Sequence, residues 1–241
     1  MEWRTTLFVV ILVPIMVSLG FWQLARSEEK AALAVEFSRK QAQAPVELNE
    51  LWQDSPNALA YLPVTLNGKF VNGENFLLDN RILAGKYGNE AVGVFQLNSG
   101  ELVLVNRGWL PADSARRSFP DIPPVSGPIT LTGHIYVPPG EPYLLGEQQL
   151  PEGWPKLVQA VDANLFRQSL EGESLFPYSV RIDAGQPGAL AVNWQVINIS
   201  PEKHIGYALQ WFTMAAVLAI FYLLHSTNLW QVIRGKRVTE Q

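Results

Sequence analysis

Cysteine is absent from this 241-residue chain, and the gap removes several chemistries at once. There can be no disulfide framework, CxxC redox pair, thiolate metal site or covalent c-type haem attachment. Methionine is scarce, with only Met1, Met16 and Met214, which argues against a Met-rich copper carrier. Three histidines are too few for a thiolate-free metal cluster in the polar part of the chain. No GxSxG elbow, HExxH pair, Walker loop or GxGxxG fingerprint occurs, and no nucleophile–base pair stands out, so an enzyme is not expected. Basic runs are also missing. The net charge is −4, with the acidic excess between residues 26 and 203, which gives no support for nucleic-acid binding.

Long apolar runs are present, one at each end. Thr5 to Ala25 is uncharged between Arg4 and Arg26, and Ile205 to Leu224 is equally uncharged. Each approaches the ~20 helical residues that cross a hydrocarbon core. The first is longer than a signal-peptide core and lacks a small-x-small cleavage site, so a retained anchor is expected. The fold class read from this layout is a membrane α plus β protein. Two transmembrane helices in hairpin topology (5–25 and 205–224) bracket a helical stalk (26–44) and a strand-rich, antiparallel external domain with one or two short helices (45–203). A basic tail (225–241) follows. Arg4, Arg234, Lys236 and Arg237 favour cytoplasmic termini, whereas Arg26, Lys30, Arg39, Lys40 and Lys203 weaken that lean.

Ser27 to Ala44 is rich in helix formers and free of Gly and Pro. Period-two patterning then takes over at Val64 to Phe70. Ala91 to Leu97 and Glu101 to Val105 flank Asn98-Ser99-Gly100, a hairpin turn signal. Further strands are expected at Phe76 to Leu78, Ile129 to Val137, Tyr178 to Ile182 and Trp194 to Ile199. Asp162 reads as the N-cap of a short helix. Proline-rich connectors fill 120–128 and 138–142.

The histidines differ in setting. His134 shares the polar face of its strand with Thr130, Thr132 and Tyr136, which predicts a solvated side chain. His225 ends the second apolar run and needs no special role. His204 immediately precedes that run, and helical spacing puts Ala208, Trp211 and Ala215 on its face with Tyr207 beside them. Small residues and an aromatic wall suit a flat ligand, and imidazole is a common haem axial ligand. A histidine anchoring a helix end in the headgroups satisfies the same pattern. Gln210 is expected to face the other span or a ligand, since an amide at that depth needs a partner. In the polar domain, Val105-Asn106-Arg107-Gly108-Trp109-Leu110-Pro111 reads as a strand stopped by a turn. Arg107 and Trp109 flank that turn, either as a packed end or as a contact surface.

Together these segments resemble the surfeit-locus family of cytochrome c oxidase assembly factors, over nearly the whole chain. The likeness rests on Leu19-Gly20-Phe21-Trp22-Gln23-Leu24-Ala25-Arg26 with Lys30, on Tyr61, Val64 and Gly68, and on Val105 to Trp109 with Pro111. It ends with Pro201-Glu202-Lys203-His204-Ile205-Gly206-Tyr207-Ala208-Leu209-Gln210-Trp211-Phe212. The resemblance implies a non-enzymatic factor that aids haem a delivery or insertion into oxidase subunit I. Its other partners would be further oxidase assembly factors and membrane lipid. It implies His204 as the candidate haem ligand, with Trp211 matching the aromatic about a turn later. For such a ligand Trp211 and Tyr207 are expected as pocket wall and Arg26 or Lys30 as propionate partners, although snorkelling at headgroup level explains these cations equally well. Trp22, Arg107, Gly108 and Trp109 are then structural or partner-facing. A bacterial plasma membrane is implied, with cytoplasmic termini and an external domain. Glu202-Lys203 stand where many members carry two asparagines, and Gln210 where many carry Thr. A scaffold that grips oxidase subunits without touching haem is the alternative.

Overall fold

The computed structural model describes residues 3–52, 54–142, 144–170, 174–194 and 200–226. In chain order its elements are α1 (Trp3–Gln41), β1 (Val46–Glu47), α2 (Pro56–Leu59), β2 (Pro63–Leu83), β3 (Lys86–Leu97), β4 (Leu102–Pro111), β5 (Ile129–Tyr136), β6 (Lys156–Val158), α3 (Ala163–Ser169), β7 (Leu175–Ile182) and α4 (Pro201–Ser226). They form two compact units, residues 1–36 with 196–241 and residues 37–195.

The first unit is a helix pair. Both α1 and α4 are long and apolar enough to cross a membrane. α1 continues through Pro14, a residue that apolar spans tolerate at the cost of one backbone bond. The Ala- and Glu-rich stretch after Arg26 prolongs the same helix to Gln41, so the expected stalk is its outer portion. The expected basic tail, apart from its first two residues, lies outside the described residues.

The second unit is a closed ring. β2 pairs with β3, β3 with β4, β4 with β7, β7 with β5, and β5 again with β2. All these pairings are antiparallel except β4 with β7. Every strand of the ring contributes to the interior cluster, including Leu66, Phe95, Val105, Leu131 and Val180. A second cluster covers the opposite face of β2, β3 and β4. There Phe76 stacks on Phe166 of α3 at 3.8 Å, and Val158 of β6 joins them. Both faces of β3 and β4 are therefore buried, which explains their near-continuous apolar sequences. Asp162 caps α3 as expected, its Oδ1 accepting from the Asn164 and Leu165 amides. Asn98 to Gly100 makes the β3–β4 turn, with Gly100 at φ +103.

The ring differs from the sequence expectation in three ways. Val64 to Phe70 and Phe76 to Leu78 are one strand, because residues 71–74 form a bulge inside β2, between the Phe70–Phe95 and Asn75–Gly93 pairs. The stretch from Val105 to Trp109 does not stop its strand. It is a bulge within β4, where Ala91 pairs with Gly108, the next residue Val92 pairs with Asn106, and Arg107 is left over. His134 is not solvated: it is 4% exposed, and its ring meets Phe37 edge-on at 6.1 Å. Of the strand expected at 194–199, only Trp194 lies among the described residues, and it is not in a strand.

Candidate functional site

Four contacts pin α1 and α4 as an antiparallel pair. Tyr222 Oη donates to Thr6 Oγ1 at 2.8 Å. The rings of Phe21 and Phe212 meet edge-on at 5.3 Å. Ser27 Oγ donates to the Pro201 carbonyl at 3.0 Å. Between these last two, His204 Nδ1 lies 2.7 Å from Gln23 Oε1. Small residues make the approach possible. A Cβ on Gly20 would sit 2.5 Å from the Phe212 ring, and Ala208 and Ala215 are the buried apolar residues of α4.

The contact with Gln23 sets the chemistry of His204. An amide oxygen only accepts, so Nδ1 must carry the proton and donate. In the neutral ring Nε2 would then keep its lone pair, and Nε2 has no hydrogen-bond partner among the described residues. A metal-ligating histidine is commonly oriented in this way, one nitrogen tied and the other free. The imidazole is 8% exposed, so its orientation is fixed by packing as well. At ~1.5 Å rise per residue, the His204–Gln23 contact stands about 26 Å along the helices from Thr6 and Tyr222. The two polar contacts thus bracket a length close to the ~30 Å hydrocarbon core. His204 stands at one edge of the apolar zone.

The other expected residues are distributed unevenly. Trp211 is half-buried, whereas Tyr207 is 48% exposed on the outer surface of α4. Trp22 is exposed on α1, and the Arg26 guanidinium lies 5.8 Å from the centre of its ring. Arg26 is also bound to Glu29 at 2.6 Å, an exposed pair of small energetic weight. Gln210 is exposed and does not face α1. The amide that does find a partner across the helices is Gln23, which sequence reasoning left without a role. The signal was available, since Gln23 is a lone amide among Phe21, Trp22 and Leu24.

Arg107, Gly108 and Trp109 lie in the strand unit and serve its architecture. Arg107 is 2% exposed and points inward. Its Nε and one terminal nitrogen each donate at 2.7 Å, to the Gly188 and Pro123 carbonyls, and its charge lies 5.1 Å from the Phe70 ring centre. Burial lowers its pKa from the ordinary guanidinium value. Gly108 adopts φ +110, and a Cβ there would meet the Ala191 carbonyl at 2.7 Å. Trp109 exchanges backbone hydrogen bonds with Ala191 and donates from Nε1 to the Arg81 carbonyl at 2.9 Å. The bulge is where β4 passes from pairing with β7 to pairing with the segment after Gly188.

The sequence profile of the SURF1 family matches residues 10–216, a span that takes in most of both apolar helices and the whole ring. A SURF1-like protein of Rickettsia felis is 26% identical over 236 residues, covering 93% of this chain and 98% of that protein. A SURF1-like protein of Caenorhabditis elegans is 25% identical, over 92% of this chain and 74% of its own length. Another, from Rickettsia conorii, is 26% identical over 92% of this chain. A match of this extent shows that the chain belongs to the SURF1 family, a family of oxidase assembly factors.

Proposed function

We propose that this protein holds haem a transiently during assembly of cytochrome c oxidase and aids its delivery to subunit I. The observation that carries this reading is the hydrogen bond from His204 Nδ1 to Gln23 Oε1. It puts the proton of the neutral ring on Nδ1, so that Nε2, at the edge of the apolar zone, would be the nitrogen offered to iron. Trp211 would form an apolar wall on the same helix, and Tyr207 one turn from His204 would extend it. Arg26, beside Trp22, would exchange its exposed partner Glu29 for a propionate. When bound, haem a supplies the redox iron that the oxidase subunit needs; the chain's own residues orient, shield and release it. Glu202 and Lys203, ahead of the histidine, bring charge to that edge.

In this reading the helix pair sits in a bacterial plasma membrane with cytoplasmic termini, and the strand ring lies outside. Subunit I and other assembly factors are the partners. The haem-free scaffold reading draws no support from Arg107, whose charged group is spent on main-chain carbonyls inside the ring.

The test is the Soret spectrum of full-length protein purified from cells that make haem a. The wild type is expected to carry the pigment, and His204→Ala to lose it by at least about tenfold. An unchanged spectrum in His204→Ala rules out the assignment of the axial ligand.

A further inference from the structure

Among the described residues, four buried side-chain polar atoms lack a hydrogen-bond partner, and two of them are the Nε atoms of Arg81 and Arg181. Buried polar groups are nearly always paired, so two orphaned guanidinium nitrogens in one place call for a ligand. The place is a polar space on the outer face of the ring. Two cavities of about 290 Å³ each share Arg81, Glu90 and Arg181 in their linings, and these are the charged residues lining either.

The backbone builds this space. β4 and β7 set Asn106 opposite Arg181, and β7 and β5 set Arg181 opposite His134, so a polar row crosses three strands. The ring interior takes the alternate residues Val180 and Ile182. Arg81 arrives by a different device. A register shift between Leu78 and Arg81, with Asn80 at φ 56, re-aims the strand end. The Arg81 backbone is then held by Trp109 Nε1.

The arginines are held but not neutralised. Arg181 lies 3.6 Å over the Tyr136 ring and 5.1 Å from that of Trp194, and makes no side-chain hydrogen bond or ion pair with any described residue. Arg81 reaches the Gln159 carbonyl only at 3.5 Å. Glu90 accepts from Asn106 Nδ2 at 2.7 Å and pairs directly with neither arginine. Burial acts most strongly against the protonated form of Arg181 and the nearby Arg81 charge adds to it, while Tyr136, Glu90 and Tyr61 partly offset the loss. Ring contacts offset part of the cost of a desolvated cation, but they supply no acceptor for its five donors.

We propose that this space binds the carboxylate of a small organic monoanion between the Arg81 and Arg181 guanidiniums, with the ligand's apolar body against Trp109 and Trp194. Forked donors match a planar carboxylate. Two positive charges and one negative leave a single charge to balance, which favours a monoanion over a phosphate dianion. The small volume favours a free metabolite-sized acid over a protein segment.

Full-length protein in detergent micelles is titrated with benzoate, with benzamide as the uncharged body of the same shape, and with inorganic phosphate. The readout is the unfolding midpoint. Benzoate is expected to raise the midpoint and benzamide to leave it unmoved. Arg181→Gln and Arg81→Gln should each weaken benzoate by at least about tenfold. Glu90→Gln should strengthen benzoate binding, because it removes the one repulsive charge. This opposite sign decides the matter if an arginine variant does not fold. Three results overturn the proposal: benzamide equal to benzoate, which marks a merely apolar pocket; phosphate stronger than benzoate; or no shift with any probe, which leaves the arginines to water.

Discussion

The helix pair and the strand ring are held together by different means, and their two buried histidines show the contrast. His204 sits among small residues and is fixed by one short hydrogen bond to a neutral amide. His134 sits under an aromatic ring, and its Nδ1 is 3.6 Å from Asp183 Oδ1, beyond hydrogen-bond length. In the ring, large side chains such as Phe76, Phe95 and Phe166 leave water completely, so apolar burial dominates its stability. Between two apolar helices in lipid there is no such driving force, and close fit with sparse polar contacts takes its place. Substitutions in the ring should therefore act on stability, whereas substitutions at the polar contacts of the pair should act on what the pair can bind.

The sharpest test of that contrast is Phe166→Ala. It removes one partner of the stack with Phe76 and should cost about 3–5 kcal/mol in denaturant unfolding, with the pigment of the surviving folded protein unchanged. Gly108→Ala comes next. The positive φ and the nearby Ala191 carbonyl should cost about 1–3 kcal/mol by the same measurement. Gln23→Leu reverses the pattern: it should change stability by less than about 1 kcal/mol yet lower pigment occupancy roughly tenfold, because the imidazole loses its fixed tautomer. A Gln23→Leu protein with full pigment would erase the distinction.

The smallest effect is expected at Asp183, which is half-exposed. The adjacent His134 imidazole, followed by the Thr132 hydroxyl, holds its carboxyl below the usual aspartate range, against the opposing effect of partial burial. A lowered folded pKa contributes stability above the unfolded value of ~3.9, and the contribution is lost as pH falls through the folded value. Asp183→Asn should thus flatten the acid limb of the unfolding midpoint below about pH 4, by no more than about 1 kcal/mol. A limb as steep as the wild type's would show that the carboxylate is not a determinant.

Local signals carried much of this organisation. The two apolar runs, the Asn98–Gly100 turn and the Asp162 cap each depend on neighbours within a few residues, and each lies where its pattern points. The small face of His204, Ala208 and Ala215 was legible for the same reason, as a helical period. Closure of the ring was not, because the pairing of β2 with β5 joins residues 63–68 to 129–134 and leaves no mark in either stretch alone. His134 was misplaced because alternation distinguishes two faces but does not say whether a further layer covers the polar one. Here Phe37 covers it. Gly108, at φ +110, needs a backbone freedom that its residue type alone signals. Whether that freedom served a turn or a bulge depended on β3 and on the segment around Ala191, far along the chain. Gln23 and Gln210 obey one rule about amides in apolar helices, and only the register between α1 and α4 selects the one that is paired.

The late position of β7 has a consequence for synthesis. β4 cannot complete its second edge, nor β5 its own, until Ile182 has been made, and α4 begins at Pro201 soon afterwards. Such distant pairing is intrinsically slow. The nascent chain must therefore wait, tethered by its first hydrophobic segment, with most of its sheet unsealed, until translation has nearly reached the second. Membrane insertion of the one end and maturation of the middle fall in the same brief interval at the ribosome.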